Sequence, residues 1–366
     1  HDEDAFVAEN FRLLKEGGLF EAGVPRELGG GGASPDELAD MLKTLAWHCG
    51  STALAFAMHT HQVAVPAWRW HHQPAARSAV EPLLKRLAGE RLQLVSSGAT
   101  DWIEGSGKAE KVEGGYRITA RKRFASGAPS GDLLITGAVL EQPGEPPMVL
   151  HFAVPMKSPQ VRVMNNWRTL GMRGTGSHDV EIDGHVVPEA AVSLKRKSGE
   201  WHPLFQIIST IAFPLIYAAY LGVAERARDI ALGIGRRKPD RHMVQIAGRM
   251  ESEIMAARLA HAHMTATVRL NAPSAATVND IMTARQLVGR PSSRTMPARW
   301  RSDCRSTRST EPWESHGARA ACRPGRRLPA TQAKRLGLTS STTVMTSAGT
   351  PARRAASRIA SALGAS

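Results

Sequence analysis

The hydrophobic period of this chain changes twice, near Leu92 and again near Trp201, so no all-helical or all-strand fold accommodates it. Before Leu92 the spacing is helical. Ser34-Pro35-Asp36-Glu37 forms a capping box with proline at the first helical position. Leu38, Met41, Leu42 and Leu45 then make an apolar stripe, and Gly50 is expected to stop that helix. The stretch STALAFAMHTHQVAV predicts a second helix capped by Ser51, and a further helix fits 75–88 around Val80, Leu83, Leu84 and Leu87. From Leu92 the segments LQLVSS, KAEKVEGGYRITARKRFAS, DLLITGAVL, MVLHFAVP and VRVM are short, β-branched or alternating, and broken by turns. They predict an antiparallel sheet or barrel ending with VEIDGHVVP. From Trp201 helical spacing returns: one long apolar helix over 205–235, and a second with a stripe of Met243, Ile246, Ala247, Met250, Ile254 and Ala257. A third begins within 279–288, and the three open an antiparallel bundle.

The regular pattern ends near Pro291. The formal net charge is +14, but residues 291–366 hold 13 Arg and one Lys against three acids, leaving only +3 for the other 290 residues. The basic signal therefore belongs to the tail, and the near-neutral body gives no reason to expect nucleic acid as a partner. The tail is rich in Arg, Ser, Thr, Pro and Ala and has no period. Either it is a disordered basic arm, able to meet nucleic acid or an anionic membrane, or it is not native sequence. We favour the second: such a string is what a GC-rich gene yields when read out of frame. The opening HDEDAFVAENF is acidic and lacks the apolar core of a signal peptide, which predicts a cytoplasmic protein. Residues 205–224 are apolar enough to raise a membrane helix, yet they carry Gln206, Ser209, Thr210 and Pro214, which predicts a buried bundle helix. Cys49 stands alone in the body, without a CxxC pair or zinc spacing, and no metal is expected.

The order of these regions, with their motifs, resembles the acyl-CoA dehydrogenase family, including the related two-component flavin monooxygenases. LLKEGGLFEAGVPRELGGGGASPDEL is similar to the family's N-terminal segment. LVSSGATD stands in the place of its flavin-contacting strand end, and GGYRITARKRFASGA in that of the following hairpin. TLGMRGTGSHDVEIDGHVVP resembles the exit from its β domain, and YLGVAERARDIAL with QIAGRMESEIMAARL its two long bundle helices. The resemblance spans about residues 10 to 290. It implies an α+β fold: an N-terminal helical domain (1–90), a middle β-barrel domain carrying flavin and substrate (91–196), and an incomplete C-terminal helical bundle (197–290), followed by the non-periodic tail (291–366).

The resemblance also implies a bound FAD. A flavin is a flat, mostly apolar ring with polar edges, so it needs a slot and a few hydrogen-bonding groups. Leu94, Val95, Ser96 and Thr100 match the first flavin segment, and Phe124, Ala125 and Ser126 the second. Phe124 stands where the family has an aromatic against the ring, and Ser126 where a hydroxyl meets N5. Arg236 and Arg237 follow the long helix, where the family places an arginine on the FAD diphosphate of a neighbouring subunit. Thr175 and Ser177 would line the substrate mouth.

The implied activity is FAD-dependent oxidation of CH–CH groups in an acyl-CoA. A carboxylate removes the α-proton of the thioester while the β-hydrogen leaves as hydride. The usual late segment for that carboxylate is missing, Glu311 and Glu314 have no matching context, and the alternative helix position falls at Ala212. The second reading is a two-component monooxygenase, which takes reduced FMN or FAD as a diffusible cosubstrate and hydroxylates an aromatic or sulfur compound with oxygen. RGTGSHDV resembles that version of the β-domain exit. Such enzymes often place a histidine near the flavin, and His59, His61 and His178 are the candidates; His59 and His61 are two apart and make a poor metal pair. The implied partners are an acyl-CoA or other small molecule, an electron-transfer flavoprotein or a flavin reductase, and further copies of the chain in a homodimer or homotetramer. An inactive copy, or a protein that binds through its basic tail, is the remaining reading.

Overall fold

The structure is a computed structural model that describes residues 4–98, 101–237 and 239–294. Four helices come first: α1 (Ala8–Glu16), α2 (Pro35–His48), α3 (Gly50–His72) and α4 (Arg77–Glu90). The capping box forms as expected: the Glu37 amide donates to Ser34 Oγ, and the Ser34 amide donates to Glu37 Oε2 at 2.8 Å. The α2–α3 junction differs from the sequence expectation. Extended Cys49 separates the helices, Gly50 is the first residue of α3 rather than a stop, and Ser51 lies inside the helix instead of capping it. The reason for glycine at 50 is packing. A Cβ there would lie 2.7 Å from Val223 of the long helix that crosses the junction.

Eight strands follow: β1 (Leu94–Ser96), β2 (Lys108–Val112), β3 (Gly115–Ala125), β4 (Leu133–Leu140), β5 (Met148–Pro155), β6 (Val161–Val163), β7 (His178–Pro188) and β8 (Leu194–Lys197). They make one sheet in the order β6-β7-β3-β2-β4-β5-β8, with β1 also on β4. The sheet is mixed, not antiparallel throughout. β1 pairs in parallel with one end of β4 (Leu94 opposite Leu133) and β2 in parallel with the other (Ala109 opposite Leu140). Alternation of apolar and polar residues reports which face a residue occupies, not the direction of the neighbouring strand. The strand β8, LKRK, escapes the sequence pattern because three of its four residues are cationic, a common device on a sheet edge. One apolar core gathers Ile118, Leu134, Leu150, Phe152, Val180 and Ile182 from the inner faces of four strands, β3, β4, β5 and β7.

Three helices complete the described chain: α5 (Leu204–Gly235), α6 (Arg241–Arg269) and α7 (Ala275–Arg294). The helix α5 is long and apolar enough to span a bilayer, yet 67% of its most apolar window is buried inside the fold. Ile207, Ile211, Leu215 and Ala218 pack into the core of α2 and α3, while Leu221 joins α6 and α7. The expected stripe on α6 divides. Met250, Ile254 and Ala257 are buried, Met243 and Ala247 are half-buried, and Ile246 is 45% exposed.

Candidate active site

The end of β3 carries the sharpest local feature. Lys122 opposes Val180 and Ala125 opposes His178, so Arg123 and Phe124 together face the single residue Asp179. This bulge puts Phe124 at φ 61, a left-handed conformation that costs a bulky residue roughly 1–2 kcal/mol. It also turns the ring out of the strand, where it is 58% exposed. Trp167, from the segment before β7, meets it edge-on at 5.8 Å. The Trp167 Nε1–H is buried without a hydrogen-bond partner. An exposed aromatic ring held on strained backbone, with a second ring edge-on to it, is a surface suited to a flat conjugated ligand.

Two residues beyond Phe124 a line of hydroxyls begins. Ser126 Oγ lies 2.8 Å from Ser177 Oγ, which lies 2.7 Å from Thr175 Oγ1. Thr175 Oγ1 donates to the Met172 carbonyl at 2.9 Å. Thr175 and Ser177 are buried, so Ser126 is the member of the line that reaches the surface. The glycines of the RGTGS turn answer to packing rather than to a ligand. A Cβ on Gly176 (φ 55) would lie 2.8 Å from Phe6, and one on Gly174 would lie 3.0 Å from Val7.

The first flavin segment is placed beside the second by a residue the sequence did not single out. Gln93 Nε2 donates to the Gly127 carbonyl at 3.0 Å, and Ser130 Oγ donates to Gln93 Oε1 at 2.7 Å. Leu94 and Val95 are core side chains and Ser96 is buried, so only their backbone could face a ligand. The Leu94 amide is already committed to His59 Nδ1 at 3.0 Å. Thr100 lies outside the described residues. Asp101, just after it, is held by a buried cluster. Ser97 and Ser106 hydroxyls donate to it, Lys122 Nζ reaches it at 3.1 Å, and Arg196 donates to the 101, 102 and 103 carbonyls. Burial pushes Lys122 below the usual ammonium range, with Asp101 opposing the shift.

The hydrogen bonds of the three candidate histidines run mostly to the backbone. His59 donates from Nε2 to the Phe20 carbonyl at 2.9 Å while its Nδ1 accepts from Leu94. Both nitrogens are satisfied by backbone, and burial lowers the ring to about 4, so it is a neutral strut between α3, the segment after α1, and β1. His61 Nδ1 donates to the Ala57 carbonyl, its Nε2 faces the Gln62 amide, and burial lowers it to about 4 as well. Neither ring is left for proton transfer. His178 Nδ1 accepts from the amides of Asn166 and Trp167 at 3.1 and 2.9 Å, which fixes the segment carrying Trp167. Arg236 and Arg237 are exposed at the C-terminal end of α5, 13 residues beyond Val223. At 1.5 Å per residue that is about 20 Å along the helix. Met172 and Val223 both touch the position of Gly50, so within one chain the two arginines do not join the Ser126 cluster. Ala212 is buried in α5 and brings no carboxylate.

Residues 1–80 match the family model for the N-terminal domain of acyl-CoA dehydrogenase. The amino sugar nitrososynthase DnmZ of Streptomyces peucetius is 30% identical over 232 residues, 62% of this chain and 56% of that one. A dibenzothiophene monooxygenase of Mycolicibacterium goodii is 30% identical over 235 residues, 60% of this chain and 54% of that one. The chain thus spans about half the length of the curated relatives it matches. Among solved structures, KijD3 in complex with FMN and a dTDP-linked amino keto sugar has a TM-score of 0.69 and 25% identity, covering 83% of this chain and 77% of that one. These relatives overturn the expectation of an acyl-CoA dehydrogenase: they are nitrososynthases and monooxygenases. The fold expected from the sequence stands, with helices, a central sheet and helices in the acyl-CoA dehydrogenase-like arrangement.

Proposed function

We propose that this chain, a member of the acyl-CoA dehydrogenase-like family, is the oxygenase of a two-component flavin monooxygenase and acts in the cytoplasm on a small organic substrate. The observation that carries the reading is the pairing, on the bulged end of β3, of the exposed Phe124 ring with the Ser126 hydroxyl, with no carboxylate at Ala212 to take a proton from a thioester. The names of the relatives support oxygenation over desaturation. FMN is the favoured cofactor, on the strength of the KijD3 complex, with FAD the other form to test.

A reduced flavin supplies two electrons to oxygen, so that one oxygen atom enters the substrate and the other leaves as water. This chain's residues would bind and orient. Phe124 and Trp167 offer apolar faces, and Ser126 meets an edge. His178 keeps Trp167 in place by taking two amides. The buried strands behind Ala125 keep water from that side. A separate flavin reductase would supply the reduced flavin. Copies of the chain would assemble through the exposed apolar residues of α6, and Arg236 and Arg237 would then serve a neighbouring copy's site.

Oxygen uptake by the purified chain tests this. Uptake and an oxygenated product only with externally reduced FMN or FAD support it. Bleaching of a tightly held flavin by an acyl-CoA without oxygen would overturn it.

A further inference from the structure

We infer that Thr175 and Ser177 are positioning residues that turn the proton of Ser126 inward, so that Ser126 offers its ligand a lone pair and the site selects reduced over oxidised flavin. The inference rests on the flavin reading above. A carbonyl can only accept, so the 2.9 Å contact between Thr175 Oγ1 and the Met172 carbonyl uses the one hydroxyl proton of Thr175. In its 2.7 Å contact with Ser177, Thr175 therefore accepts, and Ser177 donates. The Ser177 proton being committed, the 2.8 Å contact with Ser126 is donated by Ser126. Reversing the line would set Thr175 Oγ1 and the Met172 oxygen face to face at 2.9 Å with no proton between them. It would forfeit a bond in a buried site. The Thr175 amide also donates to the Met172 carbonyl, which holds that acceptor in place.

Ser126 thus ends the line with lone pairs directed away from it. A ligand edge that donates is matched, and one that accepts is opposed. Reduced flavin carries a proton at N5 and oxidised flavin carries a lone pair there. The same Ser126 in a line of opposite sense would favour the oxidised form. The preference therefore resides in Thr175 and Ser177, which need not touch the ligand. The resemblance assigned these two residues to the substrate mouth, and the geometry gives them a different task.

The test is anaerobic titration of the full chain with oxidised and with photoreduced FMN, read by flavin fluorescence and absorbance. It is repeated for Thr175→Val, Ser177→Ala and Thr175→Ser, with folding checked by circular dichroism. Wild type should bind reduced FMN at least tenfold tighter than oxidised, which raises the midpoint potential of bound flavin by about 30 mV per tenfold for a two-electron couple. Thr175→Val frees the Ser177 proton to turn towards Ser126 and should cut the ratio several-fold, with oxidised FMN gaining affinity. Ser177→Ala should do the same from the next position, and Thr175→Ser should restore the ratio. Equal affinity for both forms in wild type, or a ratio that Thr175→Val and Ser177→Ala leave unmoved, would overturn the inference while leaving a flavin protein. Binding of neither form by folded wild type would overturn the proposed function, and the inference with it.

Discussion

Lys122 Nζ sits 3.1 Å from Asp101 Oδ2, with the lysine wholly inaccessible to solvent. Lys122 also donates to the carbonyls of Ser106 and Gly137, so every contact of the ammonium is internal. The pair joins β3, the strand that carries Phe124, to the segment that follows β1. Breaking such a pair from one side leaves a buried charge and typically costs about 3–5 kcal/mol. Lys122→Met should therefore lower unfolding free energy by about that much in urea titrations. Replacing both partners, as in Lys122→Met with Asp101→Leu, should recover most of the loss. A single variant as stable as wild type would show that the pair contributes little.

Phe124 pays for its exposure in backbone strain, and glycine would relieve it. Phe124→Gly removes roughly 1–2 kcal/mol of left-handed strain while adding about 0.5–1 kcal/mol of unfolded-state entropy. Stability should be unchanged or rise by up to about 1.5 kcal/mol. Flavin affinity should fall at least tenfold, because the aromatic face is gone. A large loss of stability would mean that the ring packs as core, and unchanged affinity would remove Phe124 from the site.

The architecture was legible because period is a local property. The capping box at Ser34, the alternation of β3 and the stripe of α2 each need only neighbours in sequence. The site was half legible. Resemblance placed Phe124 and Ser126 on one strand end; the structure puts Phe124 on a bulge whose register depends on β7, some fifty residues away, with Ser126 just past the strand. Gln93, Lys122 with Asp101, and the direction of the Ser126 line were hidden for the same reason: each is a contact between distant segments. The partners of His59 were hidden too, because a histidine on a helix shows its chemistry in sequence but not what it bonds. The Phe20 carbonyl and the Leu94 amide come from either side of it in the fold.

The outer face of α6 predicts assembly. Val244, Met255 and Leu259 are 66%, 52% and 65% exposed, and their spacing of eleven and four residues sets them on one side of the helix. Exposed large apolar residues aligned on one helix face mark an interaction surface, and burying each contributes about 1.5–3 kcal/mol. Wild type should sediment as a dimer or larger species, and Leu259→Glu with Val244→Asp should shift it to monomer. Monomeric wild type at micromolar concentration would sink the assembly.

Acid should unfold the protein earlier than its carboxylates alone would require. Burial lowers His59, His61 and His151 to about 4, against about 6.5 in an unfolded chain. In that window the unfolded state binds more protons than the folded one, so stability rises with pH. The contribution is fully present above about pH 6.5 and is lost as pH falls towards 4, at up to about 3 kcal/mol for each fully buried ring. His59 and His61 qualify for that figure, and His151, less buried, adds a smaller amount. The sum rivals the whole stability of an ordinary domain. Urea midpoints should therefore drop steeply between pH 7 and pH 5, before aspartate and glutamate titrate. His61→Gln, which keeps a neutral hydrogen-bonding side chain, should flatten that slope by about a third to a half. A urea midpoint that stays level from pH 7 to pH 5 would mean that these rings accept protons in place, and that the neutral strut of His59 between Phe20 and Leu94 is not what holds β1 to the helices.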